Sequence, residues 1–404
     1  MNTRPMISAL GRHRAAVALI VLEIALTFAV VSNAIALIMH RVEKLQLRTG
    51  IDDTHLVYIN TDGSTRPGAG ALYSTILQAL RVIPSVQSAA SVDSVPFGPS
   101  VQTDGFSLDA TGKHFGRVAD FYYGNPGYLD VLGVRLVAGR GFDPSEYRDF
   151  KFMPPSGGVI ISQHLARLLW PGQGALGKSI WVGKRHHYRV VGIAASVLRP
   201  NPGYDGIVDA YDSLFLPAAI GAPQTGSFVL RTDPARRQAV LHDAYAAIQR
   251  IDPALVIDRD SSGSITDLRR TYEKSNRIMI GLLAGVIGAL MLVTGLGILG
   301  LSGFWVQQRT RQIGVRRALG ARRVDILRYF QTENFLLATA GIALGCAAAI
   351  GINVWLMAHY AVPRLPVIYL PLGALLLWGL GQLAVLGPAL RAARVAPTVA
   401  MRTA

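Results

Sequence analysis

The segment Gly172–Ser179 (GQGALGKS) has the residue types and spacing of a phosphate-binding loop, G-x-x-x-x-G-K-[ST]. In such a loop, backbone N–H groups at the start of a helix hold the phosphates, so a buried strand must precede the loop and a helix must follow it. Here a helical stretch, Gln163–Trp170, precedes the segment, and the strand-like runs Lys178–Val182 and Tyr188–Ala195 follow it. We therefore predict a turn that leads into a β-hairpin, with the hairpin turn at Gly183-Lys184, and no nucleotide site on this chain.

Other side chains with catalytic or metal-binding chemistry do not form a complete site. They are His186 and His187, Ser162 with His164, and the three aspartates Asp205, Asp209 and Asp212. Adjacent strand residues point to opposite faces, so the histidine pair cannot hold one ion, and the serine lies in no recognisable nucleophile elbow. The aspartates could bind a cation, but a solvated acidic loop is the favoured interpretation. The single cysteine, Cys346, excludes disulfide frameworks and cysteine zinc sites. We predict no catalytic, cofactor-binding or metal-binding residues.

Four long apolar runs stand out in a chain in which hydrophobic residues make up 50% of the 404 residues and charged residues make up 16%. The runs are Ala15–Met39, Ile278–Val306, Phe335–Ala358 and Val367–Leu390. Each exceeds the roughly 20 residues with which a helix crosses a bilayer. The sequence therefore predicts a polytopic membrane protein. A cleavable signal peptide is the alternative for the first run, but the run is long for one.

A carboxyl group and several glycines lie inside these runs. Glu23 marks a functional site by default, and a protonated or paired carboxyl facing another helix is the equally weighted alternative. Glycines at helical spacing let helices approach closely. They are Gly281, Gly285 and Gly288 in the second run and Gly341 and Gly345 in the third. Packing within one subunit and dimerisation explain this spacing equally well.

The arginines predict the orientation. They cluster before the first run, between the second and third runs, and after the fourth, where Asp325 and Glu333 are the only acidic residues. Basic residues mark cytoplasmic segments, so both termini and the loop 307–334 are predicted to be cytoplasmic and 41–277 to lie outside. The net charge of +15 is thus mostly a topological signal, and nucleic acid is not expected as a partner.

The predicted fold class is a membrane protein with four transmembrane α-helices and a large α+β extracytoplasmic domain of two subdomains inserted between helices 1 and 2. The predicted segments are a cytoplasmic N-terminus 1–14, helix 1 at 15–40, the outer domain 41–277, helix 2 at 278–306, a cytoplasmic loop 307–334, helix 3 at 335–358, an outside loop 359–366, helix 4 at 367–390 and a cytoplasmic C-terminus 391–404.

The outer domain alternates strand-like and helical stretches, which is typical of an α+β fold. Helices are predicted at Ala71–Arg81 and Ala235–Arg250, and strands at Gly158–Ser162, Ser227–Arg231 and Ala254–Ile257. Nothing in the sequence breaks the helical pattern on either side of the domain. We therefore expect its two ends, 41–48 and 265–277, to be helical stalks that continue the first and second spans.

Four motifs together resemble the MacB-type (FtsX-like) permeases of ABC transporters. Arg309–Ala321 (RTRQIGVRRALGA) is similar to that family's cytoplasmic loop, R-x-R-E-I-G-[IV]-R-[RK]-A-[LV]-G-A, with Gln312 at the usual acidic position. In the outer domain, Gly127–Arg140 (GYLDVLGVRLVAGR) and Ile160–Val182 also resemble family motifs, and Arg391–Met401 (RAARVAPTVAM) resembles the usual ending. The resemblance covers nearly the whole chain.

The resemblance implies a dimeric inner-membrane permease, with a second copy or a paralogous permease as partner, driven by a cytoplasmic ABC ATPase dimer that binds ATP and Mg. Because MacB carries its ATPase in the same chain and only 14 residues precede the first span here, we expect a separate ATPase polypeptide. Its motion would reach the outer domain and expel a peptide, an antibiotic or a similar amphiphile, with a periplasmic adaptor and a TolC-like outer-membrane channel as further expected partners. The alternatives are a lipoprotein-releasing (LolC/LolE-like) permease and a non-transporting FtsX-like signalling subunit.

The resemblance also implies that the ATPase docks on the cytoplasmic loop. Two helical pieces, Thr310–Leu319 and one from Arg322 onward, are predicted to meet at Gly320, a residue type that commonly ends helices. The expected docking residues are the apolar Ile313, Val315 and Leu319, the surrounding Arg311, Arg316 and Arg317, and the glycines Gly314 and Gly320. In the alternative interpretation, the arginines only hold the topology at the anionic inner leaflet.

Overall fold

The computed structural model describes residues 14–62, 68–99, 102–150, 153–202, 209–221, 226–360 and 364–394. Asp205 and most of the predicted terminal segments 1–14 and 391–404 lie outside the described residues. The chain divides into two compact units, the membrane unit (described at 14–43 and 277–394) and the outer domain, Lys44–Asn276.

The membrane unit is built from long apolar helices. Helix α1 is Arg14–Leu45, α6 is Ile265–Gln308, α8 is Arg323–Tyr360 and α9 is Tyr369–Arg394, and a short helix α7, Thr310–Ala318, lies between α6 and α8. In the described part of the chain, the four long helices are those with the length and hydropathy to cross a membrane. Helix α6 runs unbroken from Ile265, as the uninterrupted helical pattern predicted.

One half of the outer domain is a split βαβ arrangement. Its strands are β1 (Leu56–Thr61), β2 (Val86–Val92), β10 (Ser227–Thr232) and β11 (Ile257–Ser264), and its helices are α2 (Ala69–Arg81) and α5 (Arg237–Ile251). The strands pair antiparallel in the order β11-β1-β10-β2, so each helix connects two strands that are separated by a third. Apolar side chains of both helices form one buried cluster with β1 and β10.

The other half is inserted between β2 and β10 and closes on itself. Its elements are β3 (Gln102–Ser107), β4 (Phe115–Gly124), α3 (Tyr128–Leu132), β5 (Leu136–Gly139), β6 (Ser156–Ser162), α4 (Gln163–Leu169), β7 (Ser179–Val182), β8 (His186–Ala194) and β9 (Ser213–Pro217). In the described chain the pairings run β4-β3-β7-β8-β6-β9 and return to β4 through a parallel β4–β9 ladder. Phe106, Phe121, Ile161, Val190 and Leu216 belong to the buried cluster of this half.

Most predicted outer-domain elements are present, including the β7–β8 hairpin. The prediction of a strand at Ala254–Ile257 is wrong, because β11 begins at Ile257 and continues to Ser264. Most of β11 is polar (IDRDSSGS), and it forms an edge strand that pairs with β1. An edge strand can expose polar side chains, so its sequence carries little hydrophobic signal.

Candidate functional site

The short helix α7 forms a corner between two membrane-spanning helices. Gly320 adopts a left-handed conformation with φ +99° immediately after it, and the Gly320 and Ala321 N–H groups donate to the carbonyls of Arg317 and Arg316. The side chain of Asp325 accepts a hydrogen bond from the N–H of Arg322 at 2.9 Å, at the start of α8. The prediction that two helical pieces meet at Gly320 is therefore confirmed.

The two faces of α7 differ in burial. Ile313 is 5% exposed and lies in the same buried cluster as Ile326 and Phe330 of α8. By contrast, the side chains of Val315 and Leu319 are 46% and 83% exposed. Arg311 and Arg316 are exposed, Arg317 is partly buried, and Gly314 is buried beside Ile313.

The expectation that Ile313 belongs to an exposed contact set is therefore wrong. Its side chain is on the inner face of α7 because the apolar surface of α8 lies there, and Gly314 is likewise not available to a partner. The exposed apolar surface at this corner instead consists of Val315, Leu319 and, at the start of α8, Val324, which is 51% exposed.

A buried ion pair holds the start of α7 against α8. Nη1 of Arg309 lies 2.9 Å from each carboxylate oxygen of Glu333, and the side chain of Glu333 is 2% exposed. Arg309 also donates to the hydroxyl of Tyr329 at 3.5 Å. The guanidinium of Arg316 lies 5.1 Å from the centre of the Tyr329 ring, a cation–π distance. These contacts fix the inner face of α7 against α8, and the opposite face of α7 remains exposed.

This ion pair was not predicted from the sequence, in which Glu333 is one of two acidic residues in an arginine-rich loop. Glu333 lies two residues before the apolar run that begins at Phe335, where a carboxylate needs a partner. This position could have indicated that Glu333 is paired.

Glu23 lies on a polar strip between α1 and α6. A Cβ added to Gly297 would lie 2.7 Å from Oε2 of Glu23, so the missing side chain of this glycine makes room for the carboxyl group. One turn further along α1, the hydroxyl groups of Thr27 and Thr294 are 2.8 Å apart and buried.

The glycines that were expected to pack helices behave differently in the two helices. A Cβ on Gly341 would lie 2.7 Å from Ile24, and one on Gly345 would lie 2.8 Å from Ala25 and Phe28, so both glycines allow α8 to approach α1 closely. A Cβ on Gly281, Gly285 or Gly288 of α6 would meet no described atom of the chain within 4 Å.

The outer-domain candidates do not form a ligand site among the described residues, where no group of three metal-ligating side chains occurs. The loop 172–178 lies between α4 and β7, so it follows a helix and precedes a strand, which confirms the predicted turn into a hairpin. Ser162 caps α4 by accepting from the Leu165 N–H. The ring of His186 contacts a backbone carbonyl, and the ring of His187 is tilted against that of Trp181 with 5.0 Å between their centres. His164 lies 3.5 Å from Asp209 and 3.8 Å from Asp212.

Buried charges instead cluster within the outer domain, which the sequence analysis did not anticipate. Asp120 pairs with Arg199 at 3.0 Å, both nearly unexposed, and Asp212 pairs with Arg117 at 2.8 Å. Asp93 follows β2 directly and accepts a hydrogen bond from the Tyr123 N–H of β4 at 2.9 Å. Burial raises the pKa of Asp93 to about 8.

Asp93 lies where the two halves of the outer-domain sheet are joined. Strands β2 and β4 pair at Val92 and Gly124, and Asn125 accepts from the Ser91 N–H as Asp93 accepts from Tyr123. The two side chains therefore extend a very short ladder and strengthen the junction.

The four spanning helices and the large domain inserted after the first of them define a multi-pass membrane protein. Two known protein domains match most of the chain. The MacB-like periplasmic core domain matches residues 16–248, and the FtsX-like permease C-terminal domain matches residues 284–397. The chain belongs to the MacB-like, FtsX-like permease family of ABC transporters.

The similar proteins are named as macrolide export ATP-binding/permease proteins. The macrolide export ATP-binding/permease protein MacB of Bradyrhizobium diazoefficiens is 28% identical over 68% of this chain and 42% of its own length. The MacB protein of Psychrobacter cryohalolentis is 27% identical over 55% of this chain and 33% of its own length. The chain thus spans about a third to two fifths of the length of these relatives.

Two solved structures are similar at low identity. The periplasmic region of MacB from Actinobacillus actinomycetemcomitans matches with 15% identity and a TM-score of 0.35, over 57% of this chain and 98% of that one. The extracellular domain of the noncanonic ABC-type transporter YknZ from Gram-positive bacteria matches with 14% identity and a TM-score of 0.33, over 50% of this chain and 98% of that one.

Proposed function

We propose that this chain is the permease subunit of an ABC exporter. A cytoplasmic ABC ATPase binds ATP and Mg, and the permease transmits its motion to the outer domain, which expels a periplasmic amphiphile. The chain itself hydrolyses no ATP. Family membership supports the permease role, and macrolide export, the function for which the relatives are named, favours a peptide, an antibiotic or a similar amphiphile as cargo.

The observation that carries the proposal is the continuity of α6. Its first turns belong to the core of the outer domain, where Ile265 and Leu268 are buried, and the same helix continues unbroken to Gln308, two residues before α7 begins. No loop interrupts this helix between the outer domain and α7, and we propose that a displacement at α7 passes along it to the outer domain.

The outer-domain end of α6 is also fastened to the chain that follows α1. Arg269 donates to the Leu47 carbonyl at 2.9 Å and lies 3.5 Å from Asp53 and 3.0 Å from Glu273. The rings of Tyr272 and Phe97 are 5.1 Å apart. These contacts would prevent α6 from moving without the domain.

At the other end, the exposed surface of α7 has the composition of a docking site. Val315 and Leu319 supply an apolar centre, and Arg311 and Arg316 supply a basic rim. Interfaces commonly combine an apolar centre with a polar rim in which arginine is enriched. We propose that the ATPase contacts this surface, whereas Ile313 holds α7 in place from behind.

The test is transport by the assembled complex with Val315→Asp and Leu319→Asp together. We expect loss of permease-stimulated ATP hydrolysis and of export, with insertion and expression unchanged, because a charged centre cannot enter an apolar groove. Gln312→Asp is the control, since it adds a negative charge to an exposed position on the same helix without removing apolar surface, and each single Asp variant is compared with it at equal charge. Full coupled export by the double variant would refute docking at α7.

Lipoprotein release and signalling without transport remain the competing functions. Reconstitution of the complex in liposomes with macrolide, peptide and lipoprotein substrates separates them. Export of a macrolide or peptide supports the proposal, release of a lipoprotein supports the first alternative, and ATP hydrolysis without movement of any substrate supports the second.

A further inference from the structure

A recess lies within the membrane unit. Its empty volume is about 460 Å³, which includes the open space at its mouth. Its walls come from the C-terminal part of α1, the C-terminal part of α8 and the chain that enters α9. The recess is open to its surroundings, so a ligand there would lie partly in the recess and partly outside it. None of its residues belongs to the α7 surface.

The floor of the recess is fixed by two buried amide side chains. Asn33 of α1 donates to the carbonyls of Ala29 at 2.9 Å and Ala349 at 3.2 Å, and so ties α1 to α8. Asn353 of α8 accepts from the Leu365 N–H at 2.9 Å, and so ties α8 to the chain before α9. Polar side chains inside a membrane protein are costly and commonly mark functional sites.

The mouth of the recess carries both signs of charge. Arg364 and Glu43 line it and are exposed, and Nδ1 of His40 lies 4.0 Å from a carboxylate oxygen of Glu43. Leu37 and Leu356 contribute apolar wall between these charges. A ligand that fits must therefore pair an anion with a cation and carry an apolar portion.

The position along the helices places the recess at head-group depth. On α1 it begins at Asn33 and extends past the end of the apolar run at Met39 to the charged residues that follow. Tyr369 lines the recess. Trp355, the residue before Leu356, stacks on His359 with 4.8 Å between the ring centres. Tyrosine and tryptophan are enriched where the bilayer meets water.

We infer that the recess binds the head group of a phospholipid with a primary ammonium, phosphatidylethanolamine. The phosphate pairs with Arg364, the ammonium donates to Glu43, and the first part of an acyl chain lies along Leu37 and Leu356. Arginine matches phosphate geometry, and a primary ammonium has N–H donors that the trimethylammonium of phosphatidylcholine lacks. This binding requires no ATPase and no cargo, so it stands apart from the export proposal.

The experiment measures the lipid that stays with the purified full chain. The chain is extracted from nanodiscs that contain equal amounts of phosphatidylethanolamine, phosphatidylglycerol and phosphatidylcholine, and retained lipid is counted by native mass spectrometry. We expect phosphatidylethanolamine to exceed each of the others about tenfold, the factor expected for one charge-assisted hydrogen bond.

Two variants and a control assign the selectivity. Arg364→Gln should remove retention of phosphatidylethanolamine, and Glu43→Gln should remove its preference over phosphatidylcholine. Arg323→Gln, at an exposed arginine at the opposite end of α8, should change neither. Preferred retention of phosphatidylglycerol, or unchanged selectivity in both variants, would overturn the inference. Displacement of the lipid by an equal concentration of soluble glycerophosphoethanolamine would also overturn it, because the apolar wall would then contribute nothing.

Discussion

At the scale of single residues, the membrane unit depends on a charge pair that is nearly shielded from solvent. Glu333 has lost almost all hydration, and Arg309 compensates for it through both carboxylate oxygens. A buried pair of this kind adds little stability compared with an apolar pair of the same size, but removing one member leaves a buried charge without a partner.

This asymmetry predicts the result of a double-mutant cycle. Arg309→Met should destabilise the chain by about 3–5 kcal/mol, the usual cost of an uncompensated buried charge, whereas Arg309→Met with Glu333→Leu should recover most of the loss. The measurement is the thermal unfolding midpoint of the full chain in detergent, with Arg328→Met at an exposed position of α8 as control. A double variant no more stable than Arg309→Met would contradict the prediction.

Asp93 predicts a pH dependence in the outer domain. Its pKa of about 8 lies above the value of about 3.9 for an unfolded aspartate, so the folded state binds the proton more tightly. The resulting stabilisation is complete below about pH 4 and is lost as the pH rises through about 8, at up to about 1.4 kcal/mol for each pH unit.

Asp93→Asn should therefore flatten the fall in stability between pH 5 and pH 8, since the amide stays neutral and its oxygen can still accept from the Tyr123 N–H. Hydrogen exchange of peptides from β2 and β4 in the full chain reports opening at this junction. The exposed Asp243→Asn should leave the pH dependence as it is in the unaltered chain. A slope in Asp93→Asn equal to that of the unaltered chain would rule out this residue as its source.

At the scale of elements, the two glycine-bearing helices differ in what surrounds them. Replacing an exposed helical glycine by alanine stabilises a helix by about 1 kcal/mol, but the gain reverses where the new methyl group meets a packed neighbour. Gly341 faces Ile24 at a distance that no Cβ can occupy, whereas Gly285 faces open space within the chain.

Gly341→Ala should accordingly lower the thermal unfolding midpoint of the full chain, and Gly285→Ala should raise it slightly or leave it unchanged. Both variants are measured in the same detergent, in which the chain is monodisperse. The gain in helix propensity is the same for both variants, so the difference between their unfolding midpoints reports side-chain packing. A loss at Gly285 as large as that at Gly341 would contradict the prediction and would indicate that α6 packs against a second copy.

The sequence predicted the elements whose signal is local. The spans follow from apolar runs, and the corner at Gly320 follows from a glycine between two helical patterns. The inward orientation of Ile313 could not be predicted, because the period of a nine-residue helix does not say which side its neighbour occupies. The closed ring of β3, β4 and β6–β9 was equally inaccessible, since its parallel β4–β9 ladder joins residues that are far apart in the chain.

At the scale of the whole molecule, the charge distribution predicts the orientation in the membrane. The arginines on both sides of α7 and near the chain ends mark the cytoplasmic side, and an even number of crossings between these segments is needed to keep them together. The four helices that can span a membrane in the described chain satisfy this condition. The outer domain, which follows the first span, is then predicted to lie outside.

Labelling of single cysteines tests this orientation directly. In a Cys346→Ala background, Lys113→Cys places a thiol on an exposed loop of the outer domain, and Gln312→Cys places one on the exposed face of α7. A membrane-impermeant maleimide should label only the first in intact spheroplasts and both after permeabilisation, which controls for accessibility. Labelling of Gln312→Cys in intact spheroplasts would put α7 outside, where no cytoplasmic ATPase can reach it. The export proposal would then fail together with the topology, because both need Val315 and Leu319 on the cytoplasmic side.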